Sequence, residues 1–340
     1  MSKIGLLIIS HNNYKLVNIW KNNYDYSKQT ILNIDDGSIL KNIKEGKKIC
    51  KKNNIYFLKA KINGLQNNIN QACDFFLKKK INWILYQHHD SYPLTKNIFF
   101  ELRKYIDNPK LKEFGAIGFN IFDSSIGDLN FWNKNVPPLR TTGRSTLQLG
   151  DGWYRVRLGS RIKYKKKNNV FAVESVAWSA VLINIQMFKR NIEVDSRFRF
   201  FHAWDDIAFQ FLNKNIYNVV LPNIHFAHDQ SIKLKYKIPY NSAVGDPKKR
   251  TYYWGHFNHL DNWKIKWGFE WNVTKNIVLF VKKYWFFYLP LKYLGINRWS
   301  FLETRGRSSF KKIQFKYKNT LLDKFYNHDP KRGYLKEFFL

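Results

Sequence analysis

The chain has 340 residues, 44% hydrophobic and 18% aromatic, enough to bury a large core and too apolar to be disordered over most of its length. Lys and Arg number 58 against 25 Asp and Glu, a formal charge of +33 that attracts phosphate in nucleic acid, anionic lipid or a nucleotide without saying which. Two cysteines are too few for a disulfide scaffold or a Cys-based zinc site, and no stretch approaches the roughly 20 apolar residues of a membrane span.

MSKIGLLIISHN is too short an apolar run for a leader peptide, so a cytoplasmic protein is expected. Asn, Lys, Ile, Phe and Tyr dominate, and these have AT-rich codons, so part of the lysine excess records base composition. In chain order, Ile4–Ser10, Thr30–Asp35, Ile55–Ala60, Ile81–Gln87 and Phe114–Ile121 read as short buried strands. Ile39–Lys52, Leu65–Lys79 and Leu94–Ile106 have helical spacing, the last opened by Pro93. This alternation predicts an α/β domain on a parallel sheet, with ligands at the carboxyl ends of the strands. Asp123–Asn169 breaks into Gly, Pro, Arg and Lys, as a functional loop or an insertion does. A strand over Val173–Ile183, a helix near Asp205–Leu212 and a strand over Tyr217–Leu221 follow. From about Ser231 to Leu340 the chain is basic and aromatic without α/β alternation, and reads as a C-terminal extension.

Three groups at predicted strand ends can carry chemistry. Asp35 and Asp36, before Gly37 and Ser38, can accept from a ribose or a base, although Asp-Gly is more often a plain turn. His88, His89 and Asp90 can hold a divalent cation against a diphosphate, or serve as a cap with surface histidines. Asp205 and Asp206 begin a helix among aromatics, where partial desolvation raises a carboxyl pKa toward the range of a general base. Acids in a first helical turn are also ordinary dipole chemistry. His225 and His228 follow the next strand.

The series IIS-HN, NIDDGS, NGLQNN, YQHHD, FRFFHAWDDIAF and VLPNIHFAHDQS, over roughly residues 4 to 230, resembles the family 2 glycosyltransferases and their GT-A fold. The resemblance implies a Rossmann-like, mostly parallel central sheet flanked by helices, and sugar transfer from a nucleotide-diphosphate donor with inversion. It implies donor contacts at Ser10, Asn12, Asp35, Asp36, Asn63, Gly64 and Asn67 or Asn68. It also implies Mn²⁺ or Mg²⁺ held by Asp90 with His88 and His228, and a base at Asp206 or, failing that, Asp205. His88 in place of Asp removes one oxygen ligand, which tilts the preference toward Mn²⁺ over Mg²⁺ or toward weaker metal dependence.

The implied organisation is a catalytic domain over 1–230, with an acceptor-side loop at 123–169 and a basic extension over 231–340. Its acceptor would be a glycan or lipid-linked glycan in cell-surface polysaccharide synthesis, with one sugar added per event. The aromatic and cationic stretch Asn276–Leu302 either lies in the interface of an anionic membrane or packs on the catalytic domain, and Pro290 and Gly295 favour packing. Two rivals remain: a nucleic-acid-binding protein, for which no recognition motif is present, and a glycan-binding homologue without catalysis.

Overall fold

The structure is a computed structural model. It describes residues 3–14, 17, 26, 29–89, 91–123, 169–173, 175, 176, 178–199, 202–228, 261–268, 317–322, 324 and 337–340. Asp90, most of the 123–169 stretch and Asn276–Leu302 lie outside the described residues.

The chain is α/β. Among the described residues there are ten strands: β1 (Ile4–Ser10), β2 (Thr30–Asp35), β3 (Tyr56–Lys59), β4 (Trp83–Gln87), β5 (Ser91–Pro93), β6 (Ala116–Asp123), β7 (Asn169–Val173), β8 (Ala180–Asn184), β9 (Asn218–His228) and β10 (Glu337–Phe339). They form one mixed sheet in the order β10-β7-β9-β6-β8-β4-β1-β2-β3, with β5 on β9. Strands β1 to β4 run parallel to one another, and β6 runs parallel to β9. The β8 strand lies antiparallel between β4 and β6, and β5 and β7 run antiparallel to β9.

Two apolar layers flank the sheet. One side packs α2 (Leu65–Lys78), α4 (Ile185–Asn191) and α5 (Ala203–Asn213) on Leu7, Leu32, Ile84 and Val181. The other holds Cys50 of α1 (Leu40–Lys52) and α3 (Ile98–Ile106) against Leu6, Ile8, Leu85 and Leu182. Alternate residues of β1 and β4 therefore face opposite cores, as the two-residue period of a strand requires. Burial pushes the Cys50 and Cys73 thiols up to about 12, so neither is a reactive thiol.

Two sequence expectations are corrected. The apolar run Val173–Ile183 is not one strand: Phe171–Val173 pairs with β9, whereas Ala180–Asn184 pairs with β4, and the chain turns at Trp178 and Ser179. The helix expected from Leu94 begins at Ile98. Pro93 instead ends β5 opposite Phe226, and the amides of Leu94 and Thr95 donate to the His225 carbonyl, which holds that segment out of a helix.

Described parts of the C-terminal segment enter the same core. Residues 261–267 form a helix, α6, whose Trp263 and Trp267 are buried with Phe198 and Phe209. At about 25 cal/mol per Å² and ~200 Å² per indole, each contributes on the order of 5 kcal/mol before conformational entropy is subtracted. Tyr317, Leu321 and Leu322 join this cluster, and β10 adds an edge strand beside β7.

Candidate functional site

The strand order changes direction at β1. The chain runs outward from β1 through β2 to β3, then crosses back to β4 on the other side of β1. In open α/β sheets such a switch point leaves a crevice at the strands' carboxyl ends. Ser10, Asp35 and Gln87 end β1, β2 and β4 there.

Asp35 and Asp36 point to different places because successive side chains on a strand alternate. Asp35 is buried and accepts from the Tyr14 hydroxyl and from the Ser38 amide at 3.2 Å. Burial, then the neighbouring carboxylate, pushes the Tyr14 phenol far up, so it stays a neutral donor. Asp36 is half-buried and faces the start of α2, where its Oδ1 accepts from the Gly64 amide at 2.8 Å and from Asn68 Nδ2 at 2.9 Å. A carboxylate at a helix N-terminus is stabilised by the dipole and the amides. Of the alternatives Asn67 and Asn68, it is Asn68 that meets Asp36. Two glycines are required here. Gly37 has φ +80° and a Cβ on it would lie 2.5 Å from Asn63 Nδ2, while Gly64 has φ +125° against the Arg199 backbone.

The first strand's turn is locked to the second. Asn12, at φ +55°, donates its amide to Ser38 Oγ, and its Oδ1 accepts from Ile39 N and Asn42 Nδ2. Its Nδ2 lies 2.9 Å from His11 Nε2, and His11 Nδ1 lies 2.7 Å from the Asp36 carbonyl. Both contacts are satisfied by a neutral imidazole with the proton on Nδ1, a tautomer assigned from this network. Ser10 Oγ donates to Asn33 Oδ1 at 2.7 Å.

At β4, the His88 amide donates to the Ser179 carbonyl at 3.0 Å, which extends the β4–β8 ladder one residue past Gln87 and Ala180. The His88 ring stands edge-on to Trp178, 5.3 Å between centroids, and to Tyr86, 5.7 Å. His228 is the last residue of β9, which continues through His225 where the sequence suggested an earlier end. Its backbone pairs with that of Ser91. Among the described residues no three His, Cys, Asp or Glu side chains cluster as a metal site.

The acids of α5 are divided in the same way as Asp35 and Asp36. His202 caps the helix in the left-handed region, φ +58°, and its Nδ1 lies 3.4 Å from Asp205 Oδ2. Ser175, from the β7–β8 turn, donates to Asp205 Oδ1 at 3.0 Å. Asp206, with 0% exposure, faces α6. Its Oδ2 accepts from Gln66 at 2.9 Å, Gln210 at 2.8 Å and the Lys266 ammonium at 2.8 Å, and its Oδ1 accepts from the Trp267 indole at 2.8 Å. Burial pushes the Asp206 carboxyl up, while Lys266 and the amide donors pull it back. Lys266 also reaches Asp195 at 3.4 Å, and Asp195 is held below the ordinary carboxylate range: its hydrogen bonds from Arg197 and the Lys266 charge outweigh desolvation.

Sequence reasoning did not single out Tyr14, Gln66, Ser175, Trp178, Lys266 or Trp267. The i, i+4 spacing of Trp263 and Trp267 was the available signal for α6. The two serines Ser175 and Ser179 were the signal for a break in the apolar run.

No protein-family model matches the chain, and no curated protein does. Among solved structures it is similar to GalNAc-T7 with UDP, GalNAc and Mn²⁺, at 13% identity over 67% of this chain and 44% of that one, with TM-score 0.48. It is similar to TarS of S. aureus at 16% identity, covering 69% and 38%, with TM-score 0.40. A cytidylyltransferase from Leptospira borgpetersenii is similar at 10% identity, covering 58% and 68%, with TM-score 0.32. The chain spans less than half the length of the first two, and likenesses this weak carry no argument about activity. No helix among the described residues is long and apolar enough to cross a membrane.

Proposed function

We propose that the chain is a GT-A glycosyltransferase that moves a sugar from a nucleotide-diphosphate donor to a hydroxyl of a glycan or glycolipid acceptor, with inversion. The observation that carries this reading is the convergence, at one switch-point crevice, of the β1 and β2 turns, the end of β4 and the acidic start of α5. Asn12, Asp36, Asn63 and Gly64 line the nucleoside side, with Ser10 and Asp35 bracing the two turns from below. Asn67 stands one residue before the Asn68 that holds Asp36. His88, Asp90 and His228 would hold a divalent cation, Mn²⁺ or Mg²⁺, which neutralises charge on a departing diphosphate.

Asp205 is the base that the hydrogen bonds favour. It accepts from Ser175 of the β7–β8 turn, whereas Asp206 is engaged by four N–H donors, Lys266 and Trp267 of α6 with Gln66 and Gln210. Asp205 takes the acceptor's hydroxyl proton as that oxygen forms its bond to the anomeric carbon. The bond from the same carbon to the diphosphate oxygen breaks, and the nucleoside diphosphate leaves. Residues 1–230 carry this chemistry in the proposal, with 123–169 on the acceptor side. The basic 231–340 segment contributes the α6 contact and would favour an anionic surface where a cell-surface polysaccharide is built.

The test is nucleoside diphosphate release from UDP-, GDP- and dTDP-sugars with and without glycan acceptors. Asp205→Asn is expected to lower turnover by about 10²- to 10⁴-fold with donor binding kept. Normal turnover in that variant would remove Asp205 as the base.

A further inference from the structure

The α6 segment does more than fill the core, because two of its side chains end on the carboxylate that follows Asp205 in the chain. Lys266 Nζ donates to Asp206 Oδ2 and the Trp267 indole to Asp206 Oδ1, both at 2.8 Å. Gln66 and Gln210 complete the shell. Both glutamines carry the bonding further. Gln66 also donates to the Ala203 carbonyl at 3.0 Å and accepts from the Asp195 amide at 2.8 Å, and Gln210 bonds both the amide and the carbonyl of Glu193. The helix α6 is itself tied down. Asn262 donates to the Arg197 carbonyl at 3.3 Å, the Tyr317 hydroxyl donates to the Trp267 carbonyl at 2.7 Å, and Trp263 and Trp267 stand edge-on to Phe209 of α5.

Asp206 is buried and engaged on both oxygens, so its own geometry serves the turn it stands on. Its amide donates to the His202 carbonyl at 2.8 Å, and Gln66 holds the Ala203 carbonyl, so an anchored Asp206 anchors the first turn of α5. Successive residues on a helix lie about 100° apart, so one carboxylate can be fixed while its neighbour is aimed elsewhere. Here the neighbour is Asp205, which meets Ser175 instead. A buried ion pair is weak evidence for stability, because apolar residues of similar volume hold a core as well. We propose that Lys266 and Trp267 are positioning residues that, through Asp206, hold Asp205 where it meets the acceptor hydroxyl. The proposal rests on the glycosyltransferase reading and deepens it, since it makes a helix of the C-terminal segment part of the catalytic arrangement. Misplacing a reacting group by about 1 Å costs turnover on the order of 10²-fold. The hydrogen bonds of Asp36 to Gly64 and Asn68 do not involve Lys266 or Trp267, so donor binding is a separate quantity.

The experiment compares wild type, Lys266→Met, Lys266→Arg, Trp267→Phe and Leu102→Ala, the last a buried residue of the opposite apolar layer that serves as a destabilised control. Each protein is assayed, well below its own thermal midpoint, for nucleoside diphosphate release from UDP-, GDP- and dTDP-sugars with glycan acceptors. Amide hydrogen exchange is followed in parallel. Lys266→Met should lower kcat about 30-fold with the donor KM within about twofold, Lys266→Arg should restore most of the loss, and Trp267→Phe should lower kcat about fivefold. Amides over residues 206–210 should exchange about tenfold faster in Lys266→Met, with those of α3 unchanged. Leu102→Ala should keep kcat. Trp267→Phe keeps the ring and decides the question even where Lys266→Met does not fold. An unchanged kcat in the α6 variants, an equal loss in Leu102→Ala, or exchange rising equally in α3 and α5 would overturn the positioning role and leave the glycosyltransferase reading standing. Wild type that releases no nucleoside diphosphate from any donor would overturn that reading and the proposal with it.

Discussion

Replacing Lys266 by Met isolates the contact that joins the C-terminal segment to α5. The side chain of Lys266 is 18% exposed and its Nζ lies 2.8 Å from Asp206 Oδ2, so the substitution keeps most of the apolar stem and strands a buried carboxylate. Breaking a buried ion pair from one side costs about 3–5 kcal/mol. Protonation limits that cost. An aspartic acid with an ordinary pKa of 3.8 is neutralised at pH 7 for about 4.4 kcal/mol, at 1.36 kcal/mol per pH unit. Burial raises the Asp206 pKa, and three N–H donors remain, so the expected loss is about 2–4 kcal/mol at pH 7. At pH 5 the same limit falls to about 1.6 kcal/mol. The sign follows: without Lys266 the folded state binds the proton more tightly than the unfolded chain, so the variant loses stability relative to wild type as pH rises. Urea denaturation at pH 5 and 7.5 for wild type, Lys266→Met, Asp206→Asn and the double variant measures the coupling. The double variant should recover part of the single variant's loss. A Lys266→Met cost below about 0.5 kcal/mol that does not change with pH would refute the buried-pair argument.

Gly37→Ala forces a side chain into φ +80° against Asn63 and should cost about 1–3 kcal/mol, read as a lower thermal midpoint together with weaker nucleotide-sugar binding. Burial lowers the His225 pKa below 6.5, so the unfolded state binds more protons there. Its contribution to stability is present above about pH 6.5 and is lost as pH falls through the folded-state value, and His225→Gln should flatten that part of a stability–pH curve. Gly118→Val should be strongly destabilising, since even a Cβ at that position lies 2.8 Å from Val176, and thermal denaturation would show it.

The sequence made the β1–β4 half of the sheet legible because each strand there is a short apolar run pairing in parallel with its neighbours, with α1 and α2 in the crossovers between β2, β3 and β4. It failed where one apolar run serves two places in the sheet, as at 169–184, since hydrophobicity is continuous and the partners differ. The α4 helix was missed because it starts directly from β8, capped by Asn184, whose Oδ1 accepts from the Met187 amide, with no loop to announce it. Within the site, the pairs Asp35–Asp36 and Asp205–Asp206 were found as pairs. Which partner each member meets depended on strand alternation and on Tyr14, Ser175 and Lys266, all three distant in the chain, and residue types alone do not reveal such contacts.

The most direct test of the account is a thermal-shift screen of UDP-, GDP-, dTDP- and CMP-sugars, with and without Mn²⁺, on wild type and Asp36→Ala. One nucleotide class should raise the midpoint of wild type, more so with Mn²⁺, and Asp36→Ala should lose most of that shift. No shift from any donor, with stabilisation by single-stranded oligonucleotides that survives moderate salt, would contradict the glycosyltransferase account.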